Sequence, residues 1–125
     1  MVDASVLVDL LAGTDYAAAA ADRLRGTALH APAHLEAEVL SALGRLHRAG
    51  ELSAADVDSA LTRLASLPMT RHLLGDLLVG AWEHRASIRL VDALYVHLAT
   101  RMDAPLLTTD QRLARVCPIA ETITN

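Results

Sequence analysis

A chain of 125 residues with 53% apolar side chains and a net charge of −4 is one domain's worth of sequence, with ample material for a core. That balance excludes binding to nucleic acid by global positive charge. No apolar stretch approaches the roughly 20 residues of a membrane span, so an integral helix is excluded too.

Mean hydropathy is +0.31, high for a monomer, and part of the surplus is expected in a partner interface. A single cysteine, Cys117, forbids an internal disulfide and fits a reducing compartment. Asp3 and Asp9 stand where a signal peptide would carry basic residues, so the expected location is the cytoplasm. The chain has no lysine, and all 11 basic residues are arginine. A GC-rich coding bias accounts for this and for the missing phenylalanine, while arginine also suits bidentate contacts to phosphate.

In chain order, Met1-Val2 is a short apolar start before Asp3, and SVLVDLLAG is a helix closing at Gly13. DYAAAAADRLRG is a second helix, with Asp15 at its start and Gly26 as its stop. TALHAP is strand-like. AHLEAEVLSALGRLHRAG is a helix with Leu35, Val39, Ala42, Leu43 and Leu46 on one face, ended by Gly50. SAADVDSALTRLASLP opens on a capping box, Ser53 with Asp56, and Pro68 stops it. MTRHLL is a strand, GDLLVGAWEHRA and LVDALYVHLATRMD are helices, PLLTT is a strand before a short helix, and IAETIT is a last strand. Helices interleaved with short strands predict one α/β domain over 1–125, a three-layer α/β/α sandwich on a mostly parallel sheet.

Four acids carry the chemistry. Asp3 follows the first strand and precedes a helix, and Asp110 does the same later. Asp92 lies just past SIRLV, where a helix opens. In a parallel sheet such positions gather outside the carboxyl ends of the strands. Each alone reads as a helix cap; together they predict three carboxylates on one rim. Glu38 flanks the apolar stripe of its helix and is expected to be half-buried, needing a cation or an arginine from elsewhere. Glu36, about 200° around the helix, points away. Clustered carboxylates raise one another's pKa, and a hard divalent cation relieves this, Mg²⁺ or Mn²⁺ for an all-oxygen ligand set. Such an ion serves phosphoryl chemistry by activating water. Ser5 and Thr108 are placed to hydrogen-bond the acids, or to cap and close strand ends.

VDASVLVDLL, AEVLSAL, VDALYVHLA and LLTTDQRL, in this order across the chain, resemble the PIN-domain ribonucleases, and among them the VapC-type toxins of bacterial toxin–antitoxin modules. The resemblance implies an α/β/α sandwich, Mg²⁺- or Mn²⁺-dependent RNA cleavage, a homodimer and a cognate antitoxin. It places the acidic quartet on Asp3, Glu38, Asp92 and Asp110, with polar helpers at Ser5 and Thr108. One departure is the two apolar residues before Asp3, where family members carry several, so the first strand is short or the start is placed late.

Arg85, Arg89, Arg112 and Arg115 lie near the acidic rim in sequence and are candidate contacts to RNA phosphates. Asp9 is expected to be solvated. His34 and Glu38 have the spacing of paired helix ligands, a pattern common by chance. The other five histidines show no pairing, Cys117 reads as a core residue, and Trp82 and Tyr95 are too few for base stacking. A phosphoacceptor domain would need a lysine this chain lacks. A structure-specific DNA nuclease would need a longer chain. A PIN-like module that only docks RNA or protein is the alternative to catalysis, and the intact acidic quartet argues against it. The Leu- and Ala-rich helices between 33 and 67 are the expected dimer face.

Overall fold

The computed structural model describes residues 1–124. The first three residues hold the sheet together. Val2 forms a parallel bridge to Leu107. Leu107 N–H donates to Met1 O at 2.8 Å, Asp3 N–H to Leu107 O at 3.1 Å, and Val2 N–H to His30 O at 3.2 Å. This leading segment thus lies between β1 (His30–Pro32), which pairs in parallel with β2 (Thr70–His72), and β3 (Leu106–Thr108), which pairs in parallel with β4 (Ala120–Thr122). The spatial order is β2, β1, the leading segment, β3, β4.

Right-handed crossovers on that order decide the layers. From the leading segment the chain moves outward through β1 and β2, which puts α1 (Ala4–Ala12), α2 (Ala17–Leu24), α3 (Leu35–Arg48) and α4 (Ala54–Ser66) on one face. It then crosses back to β3 and β4. That puts a 3-10 turn (Gly75–Leu77), α5 (Leu78–Trp82), α6 (Leu90–Arg101) and α7 (Gln111–Val116) on the other. Contacts agree: α1 packs on α2, α3 and α4, whereas α5 packs on α6 and α6 on β1 and β3. The expected α/β/α sandwich is therefore present. Its core joins Val2, Ala31, Leu106 and Leu107 of the sheet to Val6, Leu7, Leu35, Val39 and Leu43 below. Above, α6 buries six of its twelve residues, which explains why it reads as apolar nearly all round.

Local signals held at several ends. Gly13 closes α1 at φ 70°, donating to Asp9 O. Ser53 and Asp56 form the capping box of α4, and Leu67 is extended before Pro68.

Other expectations are corrected. Asp15 caps nothing; α2 starts after Tyr16, whose N–H donates to Thr14 Oγ1, so Thr14 sets that turn. The helix expected over 75–86 is continuous only from Leu78 to Trp82. Glu83, His84 and Arg85 N–H then bond three residues back, and these tight turns end it. His30 and His72 do pair, Nδ1 to Nε2 at 3.0 Å across β1 and β2. Large exposed apolar side chains stand mainly at Leu73, Leu78, Val79 and Trp82, at Leu90 and Val91 on α6, and at Met102 and Val116, while the helices of 33–67 expose Leu40 and several alanines. Cys117 is buried, as expected. Among the described residues no single helix is long and apolar enough to cross a membrane.

Gly80 is the tightest contact between α5 and α6, because a Cβ there would land inside the His97 imidazole. Gly80→Ala is expected to force the ring or α5 to move, costing about 1–3 kcal/mol. Thermal unfolding should show a Tm lower by roughly 5 °C or more; an unchanged Tm would mean that the ring swings out freely.

Candidate active site

The leading segment and β3 are the neighbours at which the strand order reverses, and the crevice outside their carboxyl ends is where open α/β sheets bind ligands. Each of the two strands delivers an aspartate there as a helix begins. Asp3 caps α1, its Oδ1 accepting from Val6 N–H at 3.4 Å. Asp110 caps α7, its Oδ1 accepting from Arg112 N–H at 2.9 Å and Leu113 N–H at 3.3 Å. The capping role expected of an aspartate at a strand-to-helix turn is therefore real. It uses one oxygen of Asp110 and leaves the other, Oδ2, 3.5 Å from Arg112 Nη2.

Two hydroxyls tie the strand ends together. Ser5 Oγ donates to Asp3 Oδ1 and accepts from Thr109 N–H at 3.0 Å. Thr108, fully buried, donates to Asp3 Oδ2 at 2.6 Å and accepts from Asp110 N–H at 2.9 Å. Both residues stand where the sequence placed them, beside the acids.

Glu38 sits on α3 facing α6. Tyr95 OH donates to its Oε1 at 2.7 Å, and His34 Nε2 lies 3.4 Å from the same oxygen. Nε2 also donates to Val91 O at 3.0 Å, and the imidazole leans on the Tyr95 ring at 4.8 Å. Within the protein Glu38 is met by a phenol and an imidazole, and among the described residues no arginine forms an ion pair with it. Burial, then the bond to Glu38, pushes the Tyr95 pKa far upward, so the hydroxyl remains a donor.

Asp92 stands at the opening of its helix, as expected, and no strand leads directly into it. It is the third residue of α6, after an irregular Ser87–Arg89 run, and reaches the rim from a helix first turn. Its carboxylate is bridged by Arg89, with Nε to Oδ2 at 3.0 Å and Nη2 to Oδ1 at 3.4 Å. Arg112 Nη2 stands 3.5 Å from Asp110 Oδ2 and 4.0 Å from Asp92 Oδ2.

All four acids line one cleft of about 310 Å³, together with Ser5, Tyr95 and Arg89. Asp9 lines it as well, contrary to the expectation of a solvated residue. It accepts from Thr109 Oγ1 at 2.6 Å and Thr14 Oγ1 at 2.7 Å, tying α1 to the β3–α7 turn. Sequence reading missed Tyr95, His34 and Thr109 as parts of the site. His34 and Glu38 had shown only their spacing of four, and nothing local marked the other two. Of the candidate phosphate contacts, Arg89 and Arg112 are at the rim. Arg85 instead stacks over Trp82 at 5.0 Å, and Arg115 is exposed on α7.

The donor set, four carboxylates with hydroxyl support, suits a hard divalent cation. In this arrangement no three acids or histidines among the described residues converge at coordinating distance. Three of the four acids are turned toward organic partners: Glu38 toward His34, and Asp92 and Asp110 toward arginines. Asp3 differs. It is 6% exposed, and no arginine or histidine ion pair reaches it among the described residues. Burial raises its pKa to about 6, with Asp110 adding to the rise against the opposing bonds from Ser5, Thr108 and Val6.

A raised carboxyl pKa means that the folded state holds a proton the unfolded chain has lost. The stability this proton confers is complete below pH 3.8 and is lost as pH rises through about 6. Urea midpoints of the cation-free protein should carry this downward component over that window, and Asp3→Asn should remove it. Equal pH profiles for the two proteins would place the Asp3 pKa near its ordinary value.

The PIN domain profile matches residues 1–118. Ribonuclease VapC3 of Mycobacterium tuberculosis is 58% identical over 124 residues, covering 98% of this chain and 90% of the relative. Ribonuclease VapC1 of the same organism is 41% identical over 119 residues, covering 91% and 87%. The crystal structure of PAE2754 from Pyrobaculum aerophilum matches with a TM-score of 0.70 at 25% identity, over 98% of this chain and 81% of that one. The chain belongs to the PIN-domain family, among its VapC ribonucleases.

Proposed function

We propose that the chain is a Mg²⁺- or Mn²⁺-dependent endoribonuclease, the toxin of a toxin–antitoxin pair, acting on cytoplasmic RNA. One observation carries this reading: Asp3 is a buried carboxyl with no arginine or histidine ion pair among the described residues, in a cleft that holds four further acids, Asp9, Glu38, Asp92 and Asp110. A buried carboxylate left uncompensated is costly, and so many acids around one cleft suit a positive ligand. Asp3 and Asp92 are the principal ligands in this reading, and Glu38 and Asp110 bind directly or through water. A divalent cation held by these acids would supply Lewis-acid chemistry for phosphodiester hydrolysis.

The protein's own groups do the rest. Ser5 and Thr108 fix both oxygens of Asp3. Tyr95 fixes one oxygen of Glu38, which lines the cleft. Asp110 is anchored through its cap, so its second oxygen stays at the rim. Arg89, Arg112 and Arg115 are the proposed RNA-phosphate contacts, while Arg85 is stacked on Trp82. A cognate antitoxin and a second copy of the chain are the proposed protein partners. The exposed Leu73, Leu78, Val79 and Trp82 are apolar surface for them to cover.

Calorimetric titration of Mg²⁺ or Mn²⁺ should show saturable binding to the wild type that Asp3→Asn/Asp92→Asn abolishes. Asp92→Asn alone is expected to slow metal-dependent RNA cleavage by about a hundredfold or more, since a weakened site forfeits several kcal/mol of charge stabilisation. Full cleavage by Asp92→Asn would remove that residue from the ligand set. Tyr95→Phe leaves a Glu38 oxygen without its donor and is expected to destabilise the fold by about 1–2 kcal/mol, read as a lower urea midpoint.

A further inference from the structure

Arg89 and Arg112 occupy a position their expected role does not explain. As phosphate contacts they should extend toward solvent; instead both rest on the acids. The Arg89 fork spans both oxygens of Asp92 at 3.0 and 3.4 Å, and Arg112 sits between Asp92 and Asp110 at 4.0 and 3.5 Å. Asp92 is the deeper partner, with its side chain 13% exposed, while both arginines are 57% exposed and rooted at the surface. Both also line a second groove of about 190 Å³, beside Ile88, Leu113 and Val116, which shares Asp92 and Arg89 with the acidic cleft.

We propose that these two arginines are exchangeable counter-cations. They neutralise Asp92 and Asp110 while no divalent ion is bound, and they transfer to RNA phosphates in the adjoining groove when one binds. This rests on the metal-dependent reading above and deepens it.

An exchange of this kind answers an electrostatic problem at the cleft. A chain of net charge −4 presents an acid-lined cleft to a polyanion, so without compensation RNA is repelled from the place where it must be cut. A guanidinium cannot share Asp92 with a divalent ion at no cost. The ion competes for the same lone pairs, and the two positive charges repel. A guanidinium displaced from a carboxylate finds equivalent bidentate geometry in a phosphate. Because both side chains are long and their charged ends are already near the surface, the transfer needs side-chain rotation and no movement of α6 or α7. The expected consequence is coupling: the cation and RNA each favour the arrangement the other needs.

Two measurements made without cleavage test this. Mn²⁺ is titrated by calorimetry, in the absence of RNA, into the wild type and into Arg89→Gln/Arg112→Gln. Losing two exposed competitors is expected to tighten Mn²⁺ binding about three- to tenfold. Separately, a fluorescein-labelled single-stranded RNA 20-mer is bound in EDTA. Asp92→Asn is expected to tighten that binding in the wild-type background, by releasing the arginines, and to give little gain in the Arg89→Gln/Arg112→Gln background. Unchanged or weaker Mn²⁺ binding by the double-glutamine protein would overturn the exchange, and so would an equal gain from Asp92→Asn in both backgrounds. If the wild type bound no Mn²⁺ at a site lost in Asp3→Asn/Asp92→Asn, the metal-dependent function would fall. The RNA cycle, run in EDTA, would still report whether the acids hold the arginines away from phosphate.

Discussion

Val2 is hydrogen-bonded to β1 on one side and bridged to β3 on the other, and without it the sheet is two unconnected pairs of three-residue strands. Strands that short are marginal alone, so the leading segment must be held firmly at its carboxyl end. Ser5 and Thr108 do this through Asp3: one hydroxyl binds each carboxylate oxygen, and the same hydroxyls accept N–H bonds from Thr109 and Asp110. The group that completes the sheet is therefore also the most deeply buried acid of the cleft. Fold and site share one set of hydrogen bonds at the point where the strand order reverses.

The charge arrangement follows from that placement. Asp3 lies too deep for an arginine to reach without burying a second charge, so it is left with neutral donors and a raised pKa. The other three acids of the quartet are more exposed and have partners: Tyr95 and His34 for Glu38, Arg89 and Arg112 for Asp92 and Asp110. The deepest carboxyl is the one with no arginine or histidine ion pair among the described residues.

The apolar surplus has a structural explanation as well. Helix α6 is enclosed between the sheet and α5, which removes most of its apolar side chains from water. The short α5 cannot hide its own: Leu78, Val79 and Trp82 remain exposed because five helical residues have one narrow inner face, already given to Ala81 and to Gly80 against His97. The large exposed apolar side chains thus stand mainly outside the helices of residues 33–67. Composition alone could count the excess but had no means of locating it.

Sequence alone determined the alternation of strands and helices, the caps at Asp3, Ser53 and Asp110, the glycine stop at Gly13, and the residue numbers of the four acids. Each of these signals acts within a few positions along the chain, through a hydrogen bond or a preferred backbone angle. Tertiary structure decided the rest. It showed that Asp92 arrives from a helix first turn with no strand before it, that Asp9 is tied to Thr109, and that Glu38 is held by Tyr95, 57 residues away. It also turned Arg89 and Arg112 onto the acids they were expected only to neighbour. These contacts join separate elements, and their geometry is set by how the sheet's two halves meet at Val2, which no local pattern encodes.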